Sequence, residues 1–169
     1  MASWKHTQHS AMWKAYRTFI FLNERQYRDG PNMAERWYRD GLQFECTQCG
    51  GCCSGEPGAV WVNSDEVRQL SQAMQMDEQS FRAKFVRKIG IRYSLIEYPD
   101  GDCIFLDPQS RGCTVYEARP IQCRTWPFWS SNLKSRRDWE ETCEVCPGAG
   151  TGKLFSIEKI ETARLQKRV

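Results

Sequence analysis

The stretch FECTQCGGCCSG, residues 44–55, places Cys46, Cys49, Cys52 and Cys53 within eight positions, two of them adjacent. Disulfides, a bound metal or a reactive thiol each account for such crowding. The rest of the chain decides among them.

Nine cysteines stand in 169 residues: these four with Cys103, Cys113, Cys123, Cys143 and Cys146. An odd count leaves at least one thiol outside a disulfide framework. Bridging the neighbours Cys52 and Cys53 strains the peptide between them. Catalytic disulfide exchange needs one C-x-x-C pair and leaves the other seven unexplained. The longest apolar run near the N-terminus is Phe19–Leu22, whereas a secretory core takes roughly 7–15 apolar residues and a membrane span about 20. The expectation is a cytoplasmic protein with no membrane partner, in a compartment where disulfides are uncommon.

Metal is the reading left. Cys46/Cys49 and Cys143/Cys146 are C-x-x-C units, and Cys49/Cys52 is an overlapping third. Two intervening residues let a tight turn aim both sulfurs at one point, as in zinc ribbons and iron–sulfur loops. Gly50, Gly51 and Gly55 can take positive φ and bring backbone N–H groups to the sulfurs. Trp61, Phe105, Trp126, Phe128 and Trp129 are candidates to shield the site. A tetrathiolate zinc site carries about −2, and Arg119, Arg124, Arg136 and Arg137 are near enough in sequence to offset it, Arg119 and Arg124 first. Nine thiols suit two four-thiolate sites with one spare, Cys53 being the first candidate for it, or one such site with structural thiols. All-thiolate coordination serves zinc or an iron–sulfur cluster. The run Cys46-x2-Cys49-x2-Cys52 matches only the start of a bacterial ferredoxin pattern, since Cys53 follows at once and no proline comes after it.

Outward from the cysteines the chain reads as α+β: one small domain, a short hairpin with several helices, and an irregular metal-stapled centre. Residues 1–43 form an N-terminal helical extension, with helical character over 10–28 and a helix from about Met33 to Asp40 ending at Gly41. Residues 44–152 are the cysteine-cluster domain and 153–169 a C-terminal helix begun by Ser156. Ala59–Val62 is a strand. Asn63 and Glu66 make a capping box for a helix with Val67, Leu70 and Met74 on one face. Asp77 opens another, with Phe81, Phe85 and Ile89 at helical spacing. Residues 91–98 favour strand, and Cys103–Leu106 is the returning arm of their hairpin. Residues 107–129 are irregular.

The balance of 24 basic and 21 acidic residues, +3, is too slight to argue for a nucleic-acid partner. Lys134–Arg137 is a solvated turn. The GAGTGK segment, residues 148–153, departs from a phosphate loop: Pro147 occupies the first glycine's place and Leu154 that of Ser or Thr. It reads as a flexible exit from a metal knuckle. His6 and His9 lie near one end and form no triad. Asp107, Tyr116 and Glu117 read first as a turn residue, a packed aromatic and surface charge.

In order, CxxCxxCC at 46–53, Cys103-Ile-Phe-Leu-Asp107, Gly112-Cys-Thr-Val-Tyr116, Arg119-Pro-x2-Cys123-Arg124-x2-Pro127 and Cys143-x2-Cys146-Pro-Gly148 resemble the YkgJ-type CxxCxxCC family of zinc- or iron-chelating proteins over roughly residues 44–152. The resemblance implies a metal ion as partner, chelated by these cysteines, in bacterial cytosolic proteins. A flagellin lysine methylase is similar to the family in its cysteine cluster. An iron–sulfur-dependent redox or transferase enzyme is therefore the alternative to a metal-binding module, and metal storage or delivery a third reading.

Overall fold

Asn63 accepts from the Glu66 N–H (2.9 Å), and the Glu66 carboxylate accepts from the Asn63 N–H (2.9 Å). This reciprocal cap starts helix α1, Ser64–Ala73, as the sequence predicts. It belongs to a computed structural model that describes residues 33–166. The chain divides into two units, residues 1–39 and 40–169. The expected helix over 10–28, His6 and His9 lie outside the described residues. In the first unit Met33–Glu35 is a single 3₁₀ turn, not the start of a helix to Asp40. Trp37 and Tyr38 meet edge to face at 5.1 Å.

The second unit is α+β. Strand β1 (Leu42–Phe44) pairs antiparallel with β5 (Lys153–Phe155), Leu42 opposite Phe155. A second sheet has the order β2–β4–β3: Val60–Val62, Arg92–Leu95 and Val86–Ile89, all antiparallel. Five helices accompany these sheets among the described residues: α1, α2 (Glu78–Phe85), α3 (Ile121–Arg124), α4 (Arg136–Val145) and α5 (Ile157–Gln166).

Two expectations change here. Helix α2 stops at Phe85, and Val86–Ile89 is strand. Ile89 therefore leaves the helical series, and the hairpin is β3–β4, turning at Gly90 (φ 60°). β-Branched Val86 and Ile89 suit a strand better than a helix end. Cys103 reaches this region only through one bridge to Glu97. Lys134–Arg137 is no turn, because Ser135 caps α4 by accepting from the Asp138 N–H.

Two apolar clusters result. The first gathers Val62, Val67, Leu70, Phe81, Phe85, Leu95, Phe105 and Val115, with Phe85 and Phe105 rings 5.2 Å apart. In the second, Phe128 stacks on Trp139 (6.0 Å) and meets Phe155 (5.0 Å) and Phe44 (5.8 Å). Phe105 and Val115 of the first cluster and Phe44 of the second also line one shared cavity.

Candidate metal centre

Each thiol is set by its local chain. Gly50 (φ 75°) precedes the 3₁₀ turn Gly51–Cys53, and a Cβ on Gly50 would collide with the Arg111 carbonyl oxygen. The turn stacks Cys52 and Cys53 with sulfurs 4.0 Å apart. The Cys53 carbonyl accepts from the Cys103 N–H (2.7 Å), tying the two loops together. Cys103 and Cys113 lie on facing stretches: Leu106 bridges to Cys113, and the Thr114 N–H donates to the Phe105 carbonyl (2.9 Å). Each takes a hydrogen bond from the N–H two residues on, Phe105 to Cys103 and Val115 to Cys113. These amides, rather than the expected glycines, direct N–H groups at sulfur; of those glycines only Gly50 and Gly55 adopt positive φ.

Cys123 rides on α3, whose placement depends on two buried polar side chains. Glu66 accepts from the Ile121 N–H (2.7 Å) with the oxygen not used in the α1 cap. Gln122 accepts from the Trp61 N–H (3.1 Å) and donates to the Ala59 carbonyl (2.9 Å). Cys146 ends α4, and the Trp126 indole N–H donates to its sulfur at 3.5 Å.

Eight cysteines line one cavity of about 50 Å³: Cys46, Cys49, Cys52, Cys53, Cys103, Cys113, Cys123 and Cys146. A water-sized body needs roughly 10–15 Å³ of such space, so a few fit. Cys143, one turn back on α4, does not line it. Among the described residues no three Cys, His, Asp or Glu side chains already stand close enough to hold one ion. On tetrahedral zinc at about 2.3 Å, two thiolates stand ~3.8 Å apart; the Cys52 and Cys53 sulfurs, 4.0 Å apart, stand near that separation. The donor set fits a thiophilic metal in kind and number.

The electrostatics are uneven. The Cys53 thiol donates to Cys52 and holds its pKa down to about 7, against the opposing effect of burial. That same hydrogen bond, with burial and the charges of Cys52, Cys103 and Cys113, drives Cys53 far up. Burial, joined by Cys103, Cys52 and Cys113, pushes Cys123 up to about 12. Burial likewise raises Cys103 and Cys113. Arg119 is the cation of the cavity wall and favours the thiolates of Cys52, Cys113 and Cys123. It lies over the Tyr116 ring at 3.5 Å, and Tyr116 is hydrogen-bonded to Cys46, which raises the phenol.

Several expectations sort themselves on this geometry. Tyr116 is part of the cavity wall rather than a mere packed aromatic, and Phe44, adjoining the cluster in sequence, is a wall residue that composition did not single out. Of the proposed shields, Phe105 and Trp126 line the cavity, and Trp129 packs on Trp126 at 4.8 Å. Trp61 instead carries Arg92 at 3.9 Å. Arg124 faces a different groove, so Arg119 stands without it. Asp107 closes a turn on Ser110 (2.7 Å). The glycines of 148–152 serve backbone approach, Gly148 lying under the Glu45 carbonyl and Gly150 donating to Gln43 (2.9 Å).

A protein-family model whose description reads "CxxCxxCC: Putative zinc- or iron-chelating domain" matches residues 45–147, more than half of the chain. The chain belongs to the CxxCxxCC family. Its match begins one residue before Cys46 and ends one after Cys146, so the family segment and the cavity-lining thiols coincide. Among curated proteins, this CxxCxxCC chain is similar to the uncharacterized protein MJ0661 of Methanocaldococcus jannaschii, at 26% identity over 91 residues. That alignment covers 54% of this chain and 48% of the relative, so the chain spans about half the length of the protein it matches. No solved structure matches. No helix among the described residues is long and apolar enough to cross a membrane.

Proposed function

We propose that the cysteine cavity is a metal centre for zinc or iron and that the chain works as a cytoplasmic metal-binding module. The observation that carries this reading is the meeting of eight thiols from separate stretches of chain around one cavity. Cys52, Cys53, Cys103, Cys113 and Cys123 act electrostatically on one another and form the inner set. Cys46, Cys49 and Cys146 complete the wall. Cys143 supports Cys146 from α4 without binding. Bound metal would supply charge to hold the thiolates together and, if iron, electron transfer. Phe105 and Trp126 exclude water, and Arg119 offsets the anionic charge.

Elemental analysis of anaerobically purified chain is the test. At least one zinc or iron per chain is expected, with most of it lost in Cys123→Ser and retained in Cys143→Ser. Metal-free protein that takes up neither ion under reducing conditions would sink the reading.

A second reading, an iron–sulfur enzyme, draws on the spread of the sulfurs. A cluster sets its thiolate ligands farther apart than one ion does, and no three donors here yet fit a single ion. Broad absorbance near about 400 nm, accompanied by acid-labile sulfide, is the expected signature; colourless zinc protein would count against it.

A further inference from the structure

A second depression, of about 370 Å³, shares the Phe44 and Trp126 walls with the cysteine cavity. Phe128 and Phe155 extend its aromatic floor, their rings 5.0 Å apart. Its volume falls in the range of small-molecule sites, roughly 300–1,000 Å³, which are typically apolar with a few placed polar groups. Here the placed groups include two cations. Arg124 comes from α3 and Lys159 from α5. Among the described residues neither side chain has an ion-pair or hydrogen-bond partner. Glu158 also lines the groove, but Ser156 hydrogen-bonds its carboxylate. Thr162 and Ala163, on the same helix, leave the wall beside Lys159 low and uncrowded.

Two unpaired cations above an aromatic floor select for a flat apolar body with an anionic end. Ring faces stack on the body, and guanidinium or ammonium groups pair with the anion. We infer that this groove binds a planar aromatic carboxylate, seated on Phe44, Phe155 and the outer face of Trp126 over the buried Phe128, with its carboxylate toward Arg124 and Lys159. The site is separate from the thiols. Trp126 is the partition: one part of its indole forms a groove wall while its N–H is engaged by Cys146. The assignment needs no particular metal.

The probe is 2-naphthoate, titrated calorimetrically into the full chain as purified. Saturable binding at one per chain is expected. The neutral analogue 2-naphthylmethanol should bind roughly tenfold more weakly, and Lys159→Glu should weaken naphthoate by about the same factor. Ala163→Trp, which fills the groove from α5, should abolish binding, while Arg137→Glu on α4 should leave it unchanged. Metal content is measured on each variant and should equal that of the parent, so a failed groove and a failed metal centre give different results. Absence of saturable binding, equal affinity for the neutral analogue, or full binding by Ala163→Trp each overturns the assignment. Joint loss of metal and naphthoate affinity overturns it as well, because the groove would not then be separate from the thiols.

Discussion

Cys123 and Cys143 carry the same side chain to different ends. Cys123 is held by buried polar contacts on both sides of α3 and lines the cavity. Cys143 lies outside it, beneath Gly150. Arg119 is the residue whose effect is most specific. It reaches several sulfurs and is itself fixed by donating its Nε–H to the Tyr116 carbonyl (2.7 Å). Arg119→Gln removes the charge and keeps a donor. We expect metal affinity to fall roughly 10–100-fold, the usual loss for an outer partner of a metal site, with the urea midpoint of metal-free protein little changed. Competition against a chromophoric chelator measures it; unchanged affinity would show that the thiolates do not need this cation. Tyr116→Phe deletes the hydrogen bond to Cys46 and should cost less, since Cys46 sits at the exposed mouth of the cavity.

At the scale of elements, Glu66 is the joint between α1 and α3. One carboxylate oxygen caps α1 and the other receives the Ile121 N–H. Glu66→Ala leaves both donors without the carboxylate; the Asn63 N–H can turn to water, whereas the half-buried Ile121 N–H carries most of a cost of about 1–3 kcal/mol. A urea titration should show that loss together with a drop in metal occupancy, because α3 carries Cys123. Loss of stability with full occupancy would mean that α3 does not place a ligand. The sequence made half of this joint readable: the Asn63–Glu66 spacing predicts the cap, while the bond to Ile121 spans 55 positions and leaves no periodic trace. The same division runs through the molecule. Strand β2 and helix α1 are local patterns and form where the sequence puts them; the last helix begins after Ser156 as expected, but Lys153–Phe155, assigned to the same helical segment, is strand β5. The hairpin does not, because Phe81, Phe85 and Ile89 keep a helical interval while Val86 and Ile89 favour strand, and pairing with Arg92–Leu95 resolves the conflict. Convergence of the cysteines is legible from C-x-x-C spacing and thiol count. The exclusion of Cys143 is not, since spacing cannot tell which side of a helix end meets the cavity.

Across the whole 40–169 unit, the thiol cavity is where the two apolar clusters meet, and its protons tie folding to pH. In metal-free, reduced protein Cys52 is lowered from 9.0 to about 7. Its stabilising contribution is full above pH about 9 and is lost as pH falls through about 7. Cys53, Cys103, Cys113 and Cys123 are raised, Cys123 to about 12. Their native state keeps protons that the unfolded chain releases, so their contribution is full below pH about 9 and disappears on the way to about 12. Metal-free protein should therefore reach its highest urea midpoint near pH 9 and weaken steeply toward about 11. Metal reverses the alkaline limb, since ligation needs the thiolates that burial disfavours and binding expels their protons. The loaded protein should hold its midpoint toward about pH 10 and lose it on acidification as protons compete for sulfur. Chelation at neutral pH should lower the melting temperature and near-UV circular dichroism together, because the aromatic rings of Phe105 and Trp126 both line the cavity. A metal-free midpoint that keeps rising between pH 9 and about 11 would mean that the cavity thiols are not the buried, proton-holding groups described above.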